Sequence, residues 1–229
     1  MLPGLSEFCE KYFEIAHDLL KRDCAVWVLD WRGQGRSDRY LPSSHKRHSE
    51  GFDKDLSDLD LWVRDYVRPS CGGAPLVMLA HSMGGNIGLR YLAAHPGLFR
   101  AAAFSAPMVG IRALRHLPRV LASFLTRVFG EELGPRYVPG GRDWAADGAA
   151  ARARKLLTSD PERGAVHDTW MVQEPALQVG AVTFGWLRAA YQSCLALQGP
   201  GVADKIDIPC LLAVAGYEDL VDNREIRRL

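Results

Sequence analysis

The sequence lacks most features that would settle its class by composition. It has almost no excess charge: 28 Lys and Arg stand against 27 Asp and Glu, a net +1. No global field therefore collects nucleic acid or an anionic membrane, no nucleic-acid partner is expected, and any surface affinity has to be local. Cysteine is scarce and unpatterned, since Cys9, Cys24, Cys71, Cys194 and Cys210 are odd in number and lack CxxC or Cys/His metal spacing. That usage points to reduced thiols in a cytoplasmic setting, with Cys24 and Cys210, inside apolar runs, expected in the core. No apolar run approaches the roughly 20 residues of a spanning helix. The start, "MLPGLSEFCEKYFE", has no basic segment followed by an apolar one, as a signal peptide requires. What is present, 48% hydrophobic and 24% charged residues over 229 positions, suffices for one sizeable globular core with an insertion.

Periodicity gives the order of elements. Phe8, Tyr12, Ile15, Ala16 and Leu19 recur at helical spacing, and "CAVWVLD", ending on Asp30, reads as a strand. Phe52, Leu56, Leu59, Val63 and Tyr66 trace a second helical face, with Asp53 and Asp55 in a first turn where the dipole favours acid. The strand "PLVMLAH" leads into a helix from Met83 to about Ala94, stopped by Pro96, and "AAAFSAP" forms the next strand. Buried strands alternating with helices predict an α/β fold, a parallel sheet covered on both faces. From Met108 to about Gly180 no strand-like run appears, which predicts an inserted helical subdomain; "GRDWAADGAAARARK" within it reads as a loop or weak helix. The rhythm resumes with a helix over about Thr183 to Leu197 and a strand, "PCLLAVAG", ending near Asp219.

The strand–turn–helix around Ser82 is the chemical signal. Ala80 and Gly84 flank the serine at minus two and plus two, small enough for the sharp turn of a nucleophile elbow that lifts the hydroxyl above the sheet. The helix beginning at Met83 aims its first amides at whatever Ser82 attacks, and the Met83 amide becomes an oxyanion donor. Gly85, Gly88 and Ala93 let that helix lie close on the sheet. The plainer reading is a Ser-Gly loop capping a helix. "LPGLSEF" is a glycine turn into a helix whose Leu5 amide supplies a second donor, and "AVAGYEDLVDN" presents Asp219 and Asp222 at a strand's carboxyl edge. Both acids also read as turn formers, which suits Asp222 better than Asp219. In "DWRGQGRSDR" an incomplete GxGxxG is read as a structural turn in which Asp30, Arg32 and Ser37 satisfy loop groups, so no metal or organic cofactor is implied.

"PGLSEFCEKYFE", "VLDWRGQGRSDR", "AHSMGG", "SAPMVG" and "AGYEDLVDN" together resemble the α/β-hydrolase group of lysophospholipases and monoacylglycerol lipases, placed with the serine aminopeptidase-like (S33-type) hydrolases. The resemblance implies an α/β-hydrolase core over 1–107, a helical cap insertion over 108–180 and a second, incomplete core part over 181–229. It implies Ser82 as nucleophile, Asp219 as triad acid, and the Leu5 and Met83 amides as oxyanion hole. It also implies a histidine base after the acid, yet none of the seven histidines lies beyond Asp219 and the sequence stops ten residues later. The family's central strand before the Pro-Gly turn is likewise reduced to Met1 and Leu2. The expectation is a chain truncated at both ends, an internal fragment or a mis-started gene product.

In "GIRALRHLPRVLASFLTRVF", Leu114, Leu117, Leu121, Phe124 and Val128 share a stripe, with Arg112, Arg115, Arg119 and Arg127 elsewhere and Pro118 kinking it or starting a second helix. A cap helix packed on the core is favoured over one that also docks on lipid at the inner face of a membrane. The expected function is a serine hydrolase of acyl esters, lysophospholipid or monoacylglycerol, working through an acyl-enzyme. The rivals are a non-catalytic binding protein on the same scaffold, or a peptidase of the superfamily.

Overall fold

The computed structural model describes residues 1–147 and 157–229. Its described sheet has three parallel strands, β1 (Val77–His81), β2 (Ala101–Ser105) and β3 (Cys210–Ala213), in that spatial order. The register pairs Val77 with Ala101 and Ala103 with Leu211. On the outer side of β1, Leu2 makes one parallel bridge to Ala80.

The helices are α1 (Phe13–Leu20, after a 3-10 turn at Cys9–Tyr12), α2 (Phe52–Trp62), α3 (Ser82–Ala94), α4 (Arg119–Glu132), α5 (Pro161–Gln173), α6 (Phe184–Leu197) and α7 (Asn223–Ile226). Their starts follow from local chemistry. Asp160 caps α5 ahead of Pro161, and the Thr183 hydroxyl accepts the Trp186 amide to start α6. Helix α3 is the centre of the core: Met83, Ile87, Leu89, Tyr91 and Leu92 are buried against Met78, Phe104 and α6. A second, smaller core joins Phe8 to Met171, Leu177 and Val179, which fixes α5 to the start of the chain.

Several expectations need correction. "CAVWVLD" forms no ladder strand, because its neighbouring main chain in the described residues is Met1, reached through the Leu29 amide and the Trp27 carbonyl. Cys24 and Cys210 are exposed rather than core: the first lies in that unpaired segment, the second on a strand whose only described partner is β2. The face of α2 keeps Phe52, Leu59 and Val63 inside but not Tyr66. A π-helical turn over Val63–Val67 inserts one extra residue and buries Val67 in its place. In the 30–37 turn, Gly33 and Gly35 take positive φ, and Asp30 accepts the Cys9 and Arg36 amides. The Ser37 hydroxyl donates to the Asp30 carbonyl, but Arg32 leaves the turn to pair with Asp58 at 2.7 Å. Pro118 starts a second helix, α4, one of its two expected readings, and the apolar stripe of that helix is not packed inward. It buries the small residues Ala122, Thr126 and Gly130, the last against Arg188 of α6. Part of "GRDWAADGAAARARK" lies outside the described residues.

Asp55 on α2 is 1% exposed, and neither carboxylate oxygen has a hydrogen-bond partner among the described residues. Burial raises its pKa from 3.8 to about 6, with the charge of Arg47 opposing the shift only in part. A carboxyl raised in the folded state stabilises below its unfolded pKa and loses that contribution as pH rises through the folded value. The shift corresponds to roughly 3 kcal/mol lost between about pH 4 and pH 6. Denaturant unfolding of Asp55→Asn should therefore show stability gained relative to the parent at pH 7.5 and little of that gain at pH 4; equal differences at both pH values would remove ionisation as the cause.

Candidate active site

Ser82 stands where β1 gives way to α3. His81 is still extended (φ −120°, ψ 137°), and Ser82 turns into the left-handed region at φ 48°. A non-glycine residue there carries strain on the order of 1–3 kcal/mol, so its surroundings have to impose it. Two contacts do. The Ser82 carbonyl accepts the Met108 amide at 2.9 Å, and the first turn of α3 lies against the main chain of Leu2 and Pro3. A Cβ on Gly84 would overlap the Leu2 and Pro3 carbonyls. Further along, a Cβ on Gly85 would sit 2.7 Å from Pro107 Cβ and one on Gly88 2.8 Å from Met78 Sδ, so the glycines of "HSMGGNIG" are what let the helix lie on the sheet. The amides of the first helical turn, Met83 among them, have no partners within the helix, and the dipole makes this end attractive to developing negative charge.

The Pro3–Gly4 turn runs beside this helix end. The Trp31 indole donates to the Pro3 carbonyl at 2.8 Å. The Gly4 amide donates to the Glu7 carboxylate, the Gln34 amide donates to the Gly4 and Glu7 carbonyls at 2.7 Å each, and the Ser6 amide donates to Gln34 Oε1 at 3.0 Å. Ser6 itself has φ 57°. From α5, His167 Nε2 lies 3.0 Å from the Ser6 carbonyl while its ring stacks on Phe8. The Leu5 amide has no acceptor among the described residues.

Sequence reasoning missed Glu7, Gln34 and Arg47. Glu7 accepts from Lys11 Nζ, the Tyr12 hydroxyl and His81 Nδ1, the last at 3.0 Å. Burial opposes its ionisation, but His81 and Lys11 outweigh burial and hold the carboxyl well below its ordinary range. Burial and the neighbouring Glu7 charge push the Tyr12 phenol up. Arg47 is fully buried, donating to Gln34 Oε1 at 2.9 Å and to the His48 carbonyl, with Nη2 3.6 Å from Met83 Sδ. Burial lowers its pKa to about 10, the nearby Asp55 charge opposing. The Glu7–Lys11 spacing of four and Tyr12 one residue later were a readable signal for a polar cluster; nothing in the sequence marked Gln34 or Arg47.

Asp219 follows β3, and Ser82 follows β1, so both lie beyond carboxyl ends of the parallel strands. The loop after β2 spans them: Met108 binds Ser82, Gly110 accepts the Asp222 amide at 2.9 Å, and the Arg112 amide donates to the Leu220 carbonyl at 3.0 Å. The Asp219 carboxylate is 59% exposed and pairs with Arg112 at 3.2 Å. Asp222 is buried and caps α7 through the Arg224 amide. None of the described histidine contacts reaches Ser82 or Asp219. His81 turns to Glu7, His48 Nδ1 lies 2.8 Å from the Thr183 hydroxyl, His95 stacks on Tyr91, His116 pairs with Arg115, and His167 meets Ser6.

A family model described as serine aminopeptidase, S33, matches residues 1–229. Lysophospholipase L2 of Escherichia coli (strain K12) is 34% identical over 228 residues, covering 97% of this chain and 64% of that protein. The chain thus spans just under two-thirds of that relative. The probable lysophospholipase L2 of Haemophilus influenzae is 30% identical over 233 residues, covering 100% of the chain and 70% of the relative. Among solved structures, the Paleococcus ferrophilus monoacylglycerol lipase matches with a TM-score of 0.70 at 20% identity, over 99% of this chain and 76% of that one. A soluble variant of the Saccharomyces cerevisiae monoglyceride lipase matches with a TM-score of 0.68 at 18% identity, over 99% and 70% of the two chains. At such identities the structures speak for the fold.

Gly84 carries the junction. Gly84→Ala should destabilise the protein by about 1–3 kcal/mol, the range for forcing extra atoms into a packed interior. Gly97→Ala, in open space at φ 73°, pays only backbone strain. Denaturant midpoints showing Gly84→Ala no worse than Gly97→Ala would mean that α3 does not depend on this close approach.

Proposed function

Because the chain belongs to the serine aminopeptidase, S33, family and has the α/β-hydrolase fold, we propose that it acts as a serine hydrolase of carboxylic esters, with lysophospholipid or monoacylglycerol as its substrate class. The observation that carries this reading is Ser82 in a left-handed conformation at a strand–helix junction, beside the Leu5 turn and at the N-terminus of α3. In the proposed reaction Ser82 Oγ attacks the ester carbonyl as a histidine base takes its proton, and the new oxyanion receives the Leu5 and Met83 amides. The carbon–oxygen bond to the alcohol then breaks, the base returns the proton to that leaving group, and water releases the acid from the acyl-enzyme. Asp219 orients the histidine base.

Two features support an acyl substrate. The L2-type relatives are named for lysophospholipid hydrolysis and solved neighbours for monoacylglycerol hydrolysis. Helix α4 also leaves Val120, Leu121 and Phe124 exposed beside Arg119 and Arg127, a pattern that suits contact with a lipid surface. No described helix is long and apolar enough to cross a membrane. One observation favours a second reading, a non-catalytic binding protein: Asp219 is engaged by Arg112 instead of by a histidine.

The test is made on the protein in its full natural reading frame. Ser82 should take a fluorophosphonate, Ser82→Ala should lose ester hydrolysis by at least about 10³-fold, and kcat/KM should rise from butyryl to dodecanoyl monoesters. Labelling independent of Ser82 would overturn the nucleophile. Efficient cleavage of aminoacyl amides without gain for long acyl chains would turn the reading to a peptidase, and absence of both labelling and turnover to the binding protein.

A further inference from the structure

Glu7 and Gln34 take no part in the acyl-transfer steps, yet both are buried, 5% and 0% exposed, and both hydrogen-bond to one four-residue turn. The main-chain groups of that turn are bound one after another. The Gly4 amide goes to the Glu7 carboxylate, the Ser6 amide to Gln34 Oε1 and the Glu7 amide to the Gly4 carbonyl. The Gly4 and Glu7 carbonyls go to Gln34 Nε2, and the Ser6 carbonyl to His167. Of the four amides from Gly4 to Glu7, the Leu5 N–H alone has no acceptor among the described residues. The same Glu7 carboxylate holds His81, the residue before Ser82, at 3.0 Å. One side chain therefore grips both the turn that carries the free amide and the strand end that carries the serine.

Resting on the Ser82 reading above, we propose that Glu7 and Gln34 are positioning residues: they clamp the Gly4–Glu7 turn to the nucleophile elbow and so aim the Leu5 amide at the carbonyl that Ser82 attacks. The left-handed Ser6, φ 57°, is a conformation that needs such a clamp. A carboxylate is required because four donors converge on it, from Gly4, Lys11, Tyr12 and His81. Gln at that position keeps the shape but offers one acceptor oxygen and sets an NH2 against donors.

The experiment compares the natural full-length protein with Glu7→Gln and Tyr12→Phe in three readouts: steady-state hydrolysis of p-nitrophenyl butyrate, inhibition by an alkylboronic acid that forms a tetrahedral Ser82 adduct, and hydrogen exchange over residues 1–12. For Glu7→Gln the expected kcat falls about 10- to 100-fold with KM within about twofold, part of the loss that follows removal of an oxyanion donor. Boronate affinity should weaken in parallel, and exchange should rise over residues 1–12. Tyr12→Phe should move all three in the same direction by less. A folded Glu7→Gln with kcat within twofold of the parent, a loss expressed in KM alone, or unchanged exchange would overturn the proposal. If Glu7→Gln does not fold, an unchanged kcat in Tyr12→Phe overturns it. If the parent itself takes no phosphonate at Ser82 and turns over no ester, the hydrolase reading falls by that result, and exchange over residues 1–12 still decides whether Glu7 holds the turn.

Discussion

At Gly84 the first turn of α3 rests directly on the carbonyls of Leu2 and Pro3, with no side chain between. That contact sets the distance between a helix end and a glycine turn, and the candidate site follows from it. It requires the chain to leave β1 abruptly, which places Ser82 in the left-handed region. It also sets the first turn of α3 against the main chain that leads into the Gly4–Glu7 turn. The strain at Ser82 is held by packing behind it, where Met83 and Ile87 are wholly buried; each buried side chain of that size contributes on the order of 1.5–3 kcal/mol.

Behind the turn runs a chain of buried polar groups, from Glu7 on one side and from Gln34 through Arg47 towards Asp55 on the other. Such groups are a poor source of net stability, because desolvating ions consumes most of what their pairing returns. Asp55 illustrates the imbalance: its two oxygens find no hydrogen-bond partner among the described residues. The gain lies in direction. Hydrogen bonds fix angles as well as distances, and apolar packing alone would let the Gly4–Glu7 turn rotate.

What could be read from the sequence was what depends on near neighbours. Ala80, Ser82 and Gly84 declare a sharp junction by size alone, and the alternation of apolar strands with helical faces gives the parallel sheet. The failures share one cause, dependence on distant chain. "CAVWVLD" has strand composition, but a strand exists only against a partner, and Met1 and Leu2 offer little. Cys210 sits in an apolar run, but its burial depends on which side of β3 another layer covers. The stripe of α4 is regular, yet Ala122, Thr126 and Gly130 allow a closer approach to α6 than the larger residues would, and so the smaller face is turned inward. Gln34 and Arg47 act across 27 to 36 residues of sequence and leave no local pattern.

The link from His167 to the Ser6 carbonyl, backed by Phe8 and Met171 in the smaller core, bears on how this architecture can diverge. Helix α5 supplies a hydrogen bond that the turn does not make within itself. The helix and the turn therefore cannot drift separately. A helix borrowed from a relative would arrive without its half of the joint unless residues 6 and 8 were exchanged with it, so the inheritable unit is the helix together with the turn it grips.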